Sequence, residues 1–441
     1  MIMRFNRIIS LVLVLALICP ICYQTDLFAR RTDYSNKVKA VSAYSGGTYT
    51  EGEVSNGLTR EFESKGEDID RLINAAEADG DVQVGVQVKT VFTRLYSLIK
   101  KVILSGGNVD YTDTENEVTD IFNSLFALDT KLNEISPEAM GELTNRGFVT
   151  QAISIVWDIV TAFDKNRVAS QTPETGVTRL EDIPYIDDGT NEHMLDVYYP
   201  EGTSEKLPVI IDIHGGGLMM GDKDSNEIYC SVLAKKGYTV VCINYRLSPD
   251  VLYPSQVQDV MAAFKWVNDN ADSYNIDLDK VYVTGDSAGG NLAYYVPLVE
   301  TSPELQTLYG VTPSGLQIDA LGLVSGMYDM KTGFNAPLIS CYFGFDYKNS
   351  PYYPYLQPEE VLPLGELPPC YMVSCSRDFL HSSADSFDRE LTKRGIEHTY
   401  RDWGLTVSKS SGHITSVAYP ELEESRQTID EMLDFFQTHT K

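Results

Sequence analysis

Two short glycine-rich stretches carry the residue types that acyl transfer needs. In Gly285-Asp286-Ser287-Ala288-Gly289-Gly290 a serine follows the apolar run Val281 to Thr284 and precedes a helical stretch. A serine at such a strand-to-helix turn sits in a strained backbone with its hydroxyl clear of the sheet. Gly285 and Gly289 are required there because side chains would clash across the tight turn. The pentapeptide alone decides little, since at this composition it arises by chance in about one chain of this size in six. The second stretch, His214-Gly215-Gly216-Gly217, follows the buried apolar run Pro208 to Ile213. Glycines there let backbone N–H groups approach a developing oxyanion closely and act as fixed donors. With 6 histidines in the chain, that tetrapeptide is far rarer by chance than the first. The pair, in this order and each after a strand, points to Ser287 as a nucleophile.

The elements that must position these stretches read as strands alternating with helices from about Asp182 onward. Leu195 to Tyr199, Pro208 to Ile213, Thr239 to Ile243, Val281 to Thr284, Ala320 to Val324 and Tyr371 to Ser374 are β-branched or alternating runs. Gln256 to Asn270 and Ala288 to Val299 are helical. Such βαβ alternation predicts an α/β fold with a mostly parallel central sheet and helices on both faces. Ligands then bind at the carboxyl ends of the strands, where both glycine stretches lie.

The first third has a different texture. Val91-Phe92, Leu95, Leu98-Ile99 and Val102-Ile103 recur at three- and four-residue steps, as do Val118, Ile121-Phe122, Leu125-Phe126 and Leu128. The predicted organisation is a leader over residues 1–29, an α-helical N-terminal region over 33–170 and the α/β domain over 178–441. Arg4 and Arg7 precede the apolar run Ile8 to Ile18, which is shorter than the roughly 20 residues a membrane-spanning helix needs. This predicts a signal peptide and a secreted or extracytoplasmic protein, with an uncleaved N-terminal anchor as the alternative.

Composition narrows the partners. The net charge of −28 opposes nucleic acid and anionic membrane alike, and fits a soluble protein handling neutral small molecules. Cys230, Cys242, Cys341, Cys370 and Cys375 lack zinc-ligand or redox spacing and read as buried apolar side chains, with one adventitious bridge at most. No metal and no cofactor is predicted. The sequence sets no oligomeric state.

From about Asp182 to the C-terminus the chain resembles the hormone-sensitive-lipase-like family of α/β-hydrolase esterases. The residues that carry the likeness are His214 to Gly217, Asn244-Tyr245-Arg246-Leu247-Ser248-Pro249, Tyr253-Pro254 with Asp259, and Gly285 to Gly290. The resemblance implies a Ser-Asp-His triad and an oxyanion hole made by the backbone N–H groups of Gly215, Gly216 and Ala288. His214, Gly217, Gly285 and Gly289 would support the two motifs. It departs at Phe379, at Ser382 and at Ile414-Thr415, which bear on the pocket more than on the triad.

Chain order in this fold is serine, acid, histidine. After Ser287 come His381, His398, His413 and His439. His398 opens a strand, His439 lies in the tail and His381 shares a turn with the expected acid. His413 remains, in a loop after the last strand. Asp378, after the strand Tyr371 to Ser374, is the favoured acid; Asp329, after the preceding strand, is its competitor. Asp286 reads as a structural hydrogen-bonding residue, and Arg246 with Asp259 as a structural pair or separate anchors.

The expected activity is hydrolysis of short-chain carboxylic esters through an acyl-enzyme. The aromatic stretch Tyr342, Phe343, Phe345, Tyr347, Tyr352, Tyr353 and Tyr355 suggests an acetyl or phenolic ester of a carbohydrate, and Met219-Met220 an acyl pocket or core filler. The rival readings are a peptidase or amidase on the same fold and a non-catalytic, hydrolase-like binding protein. Retention of both Ser287 and His413 disfavours the second.

Overall fold

The computed structural model describes residues 171–331, 339–343, 347–376, 378, 380–404 and 412–440, with scattered helical positions from Gln87 to Ser170. The expected leader and nearly all of the N-terminal helical region lie outside the described residues. The chain divides into two compact units, residues 1–170 with 333–347 and residues 171–332 with 348–441. In the first, described residues include Arg167, ion-paired with Asp164 at 2.8 Å, and the helix Ile339–Phe343.

The second unit is an eight-stranded sheet in the order β1-β2-β4-β3-β5-β6-β7-β8. The strands are β1 Val177–Pro184, β2 Met194–Pro200, β3 Leu207–Ile213, β4 Thr239–Ile243, β5 Ile276–Asp286, β6 Ala320–Val324, β7 Cys370–Ser374 and β8 His398–Asp402. β2 runs antiparallel to both neighbours, and all pairs from β4 to β8 are parallel. Six of these strands match the expected runs closely. β5 begins five residues earlier than Val281, and β1 was not anticipated. Arg179, Glu181 and Asp182 interrupt its apolar pattern because it is an edge strand, half-exposed and bulged between Leu180 and Ile183.

The principal helices are α1 Glu227–Lys235, α2 Ser255–Asn270, α3 Ala288–Thr301, α4 Pro303–Tyr309, α5 His381–Arg394 and α6 Glu423–Thr438. α6 buries Ile429, Met432, Leu433 and Phe436, one stripe at three- and four-residue spacing. With Tyr229 and Leu233 of α1, this stripe covers Ile210 and Tyr282 on one face of the sheet. Phe436 stacks on Tyr282 with ring centres 4.6 Å apart. The alternate residues Val209, Ile211, Val281 and Val283 point to the other face and are equally buried. A sheet covered on both faces explains why its central strands read as unbroken apolar runs. Cys230, Cys242, Cys341, Cys370 and Cys375 are all buried and unbridged.

Arg246 and Asp259 form the anticipated pair, with Nε to Oδ2 at 2.8 Å and Nη2 to Oδ1 at 2.7 Å. It fastens the segment after β4 to α2.

Candidate active site

Ser287 stands between the end of β5 and the start of α3. Its backbone has φ 52° and ψ −116°, a conformation that L-residues adopt only when their surroundings impose it. The surroundings do so at both ends. The Ser287 N–H donates to Val324 O at 2.9 Å and its carbonyl accepts the Met327 N–H at 2.8 Å. A Cβ on Gly289 would run into the carbonyl oxygens of Ile213 and His214, and one on Gly285 into the backbone of Gly289. Both glycines are thus close-approach residues, as the motif requires.

The loop after β3 lies against this turn. A Cβ on Gly215 would sit 3.0 Å from Ser287 Cβ. His214 stacks on Tyr245 with ring centres 4.4 Å apart, and its carbonyl accepts the Tyr245 hydroxyl at 2.9 Å. Gly216 and Gly217 take positive φ of 110° and 62°, open to glycine with little strain. Gly216 O accepts the N–H groups of both Met219 and Met220 at 3.0 Å.

The structure corrects one expectation. The Gly215 N–H, expected among the oxyanion donors, donates to Asp286 Oδ1 at 3.1 Å. It fastens the loop to the turn. Among the described residues no acceptor takes the N–H of Gly216, Gly217 or Ala288. Asp286 is the structural hydrogen-bonding residue anticipated.

Asp378 and His413 come together from the segments after β7 and β8. His413 Nδ1 lies 2.9 Å from Asp378 Oδ1, and both side chains are buried. The Leu380 N–H donates to Asp378 Oδ1 at 2.8 Å and the Ser374 hydroxyl to Oδ2 at 3.0 Å. Burial alone would push this carboxyl up, but His413, a bond from Ser325 and the Leu380 N–H outweigh it and hold it below the ordinary aspartate range. A charged carboxylate on Nδ1 fixes that nitrogen as the N–H and turns Nε2 toward other chemistry. Ser325, at φ 51° directly after β6, accepts the Ile414 N–H on Oγ at 3.1 Å. It links the Val324–Ser287 contact to the histidine segment. No residue pattern had marked Ser325 or Ser374.

The competing residues are engaged elsewhere. Asp329 Oδ1 receives the Lys331 N–H at 2.8 Å. His381 Nε2 is 3.2 Å from Asp402, His398 Nδ1 is 2.7 Å from Ile396 O, and His439 Nε2 is 3.0 Å from Glu397. Of the aromatic stretch, Tyr352 stacks on Tyr309 at 5.6 Å, Tyr353 lies under the Lys331 ammonium at 4.8 Å, and the Tyr355 hydroxyl donates to Glu304 at 3.3 Å. These three rings are committed to packing and surface contacts in the α4 region. Phe345 lies outside the described residues.

Known proteins share this architecture. The BD-FAE family profile matches residues 195–335, which include both glycine motifs. The chain is 33% identical over 220 residues to versiconal hemiacetal acetate esterase of Dothistroma septosporum, covering 45% of this chain and 65% of that protein. It is 35% identical over 116 residues to carboxylesterase NlhH of Mycobacterium tuberculosis, covering 26% of this chain and 36% of that one. The chain thus spans less than two thirds of the length of either. The crystal structure of esterase B from Lactobacillus rhamnosis matches with TM-score 0.62 and 28% identity over 66% of this chain and 94% of that one. By fold, motifs and likeness, this chain is similar to esterases of the α/β-hydrolase fold.

Proposed function

We propose that the protein is a serine carboxylesterase acting on short-chain esters through an acyl-enzyme. The observation that carries this reading is the buried Asp378–His413 pair, 2.9 Å apart, on the same strand-end side of the sheet as the strained Ser287. In this reading His413 Nε2 removes the Ser287 Oγ proton as the oxygen attacks the ester carbonyl. Asp378 keeps the imidazole in the required tautomer and stabilises its charged form. The N–H groups of Gly216, Gly217 and Ala288 receive the oxyanion, Ala288 at the positive end of α3. His413 then returns the proton to the departing alcohol. Water, deprotonated by the same ring, attacks the acyl group and releases the acid and free Ser287.

The relatives support esters over amides. One is named for an acetate ester, and esterase B, at 29% identity, has been solved with a tributyrin phosphonate inhibitor. We extend the reading to acetyl or phenolic esters of carbohydrates, on the aromatic-rich composition of the sequence from Tyr342 to Tyr355. Export is proposed on the leader-like N-terminus. Rates on acetyl, octanoyl and feruloyl esters, beside an acetyl anilide, test these points. The reading expects acetyl and feruloyl esters to exceed octanoyl, with the anilide slowest. Equal ester rates would remove the carbohydrate extension, and a faster anilide would favour an amidase.

A further inference from the structure

The Gly215 N–H fastening has a support of its own behind it. Asp286 Oδ1 accepts a second bond, from Asn226 Nδ2 at 2.9 Å. The other N–H of the same amide donates to Asp212 Oδ2 at 2.9 Å. Asp212, Asn226 and Asp286 are 1%, 3% and 2% exposed, so no water competes for these bonds. The two acids lie near the ends of neighbouring strands, since Asp212 pairs in register with Thr284. Two buried carboxylates this close repel, and here a neutral amide holds both in place of a cation.

Asn226 stands where the short 3-10 turn Lys223–Asn226 passes into α1, a place where asparagine side chains commonly cap the helix. Its side chain makes no capping bond. Both of its N–H groups are directed instead to the strand ends. Cys242 and Cys230 add bonds of 3.2 and 3.6 Å from their thiols to Asp212 Oδ2, anchoring the far end of the chain of bonds in the core. The near end is Gly215, one residue before the donor Gly216. Rotation of the Asp286 carboxylate would release the Gly215 N–H, and with it the direction in which the next N–H groups point.

We propose that Asn226 is a positioning residue for the oxyanion loop, acting through the Asp286 carboxylate on the N–H of Gly215. The proposal rests on the serine-esterase reading, and its effect is on the transition state, where oxyanion donors act, and not on ground-state ester binding.

The test is Asn226→Leu in the full chain, assayed on 4-nitrophenyl acetate beside the wild type. The expected result is a kcat about 10- to 100-fold lower with KM within about twofold. The inhibition constant of a trifluoromethyl ketone, which forms the tetrahedral oxyanion adduct, should rise by the same factor as kcat falls. A merely structural residue would not couple these two quantities. Asn226→Asp, which is isosteric, provides a second arm should Asn226→Leu not fold. Facing Asp212, Asp286, Cys230 and Cys242, its carboxyl donates only when protonated, so the ratio of its kcat to that of wild type should rise as pH falls from 8 to 6. A kcat within twofold of wild type in Asn226→Leu, or a flat ratio in Asn226→Asp, overturns the positioning role. A wild type with no esterase activity would instead overturn the serine-esterase reading itself.

Discussion

Asp286 accepts the Gly215 N–H at 3.1 Å, so the residue before the serine holds the first glycine of the loop after β3. Turn and loop are therefore one unit, and neither is placed without the other. In the proposed serine-esterase reading, the N–H groups left for an oxyanion are those of Gly216, Gly217 and Ala288, which come from both partners of that contact.

Asp378 and Asp329 are separated by one substitution each. Asp378→Asn replaces a charged acceptor on His413 Nδ1 by an amide that favours the wrong tautomer. Loss of kcat by about 10⁴-fold is expected, as for the same change in a comparable triad. Asp329→Asn should stay within about threefold of wild type, because Asp329 bonds to Lys331 and Gln357. Steady-state rates on one aryl acetate decide it, and a reversed pattern would move the acid to Asp329.

Gly289→Ala tests the turn. The added methyl meets backbone carbonyls of Ile213 and His214, which cannot swing aside as a side chain does. Overpacking of this kind costs about 1–3 kcal/mol, read from the urea midpoint at constant slope. Activity should fall further than stability, because relief requires the loop after β3 to shift away from Ser287. A variant as stable and active as wild type would show that the close approach is absent in solution.

Much of this was legible beforehand, for a physical reason. A strand buried on both faces must be apolar throughout, so β3, β4, β5 and β6 announce themselves, and the glycines at their ends are visible because no other residue fits. Histidines are few enough for elimination to leave His413, which the structure sets beside Asp378. What stayed hidden depends on contacts between residues distant in the chain. β1 is hidden because an edge strand tolerates charge. Ser325 and Asn226 are common residue types whose roles follow from what the fold sets beside them. The Gly215 assignment failed for a similar reason: the glycine pattern shows where backbone can approach, but not that Asp286 takes the first N–H.

Asp212 predicts how stability depends on pH. Burial first, then the nearby Asp286 carboxylate, raise its carboxyl to about 7. Facing it are Asp286 on β5, Tyr229 and Cys230 on α1, Asn226 before α1, and Cys242 on β4. A raised folded-state value means the folded form holds a proton that the unfolded chain has already released. That contribution to stability is complete below about 4, the unfolded value, and is lost as pH rises through about 7. The melting temperature of wild type should therefore fall between pH 5.5 and 8 by more than that of Asp212→Asn. Parallel melting curves across that range would place the Asp212 titration elsewhere.

Everything proposed for the reaction depends on Ser287 being the nucleophile, activated by His413. Intact-protein mass spectrometry after treatment with a short alkyl phosphonate ester probes this at the reacting atom. One stoichiometric adduct is expected on wild type, mapped by peptide digestion to Ser287 and formed in step with loss of esterase activity. A folded Ser287→Ala variant should show neither adduct nor activity, and His413→Gln should label slowly. An adduct on another residue, or hydrolysis persisting in Ser287→Ala, would contradict the assignment.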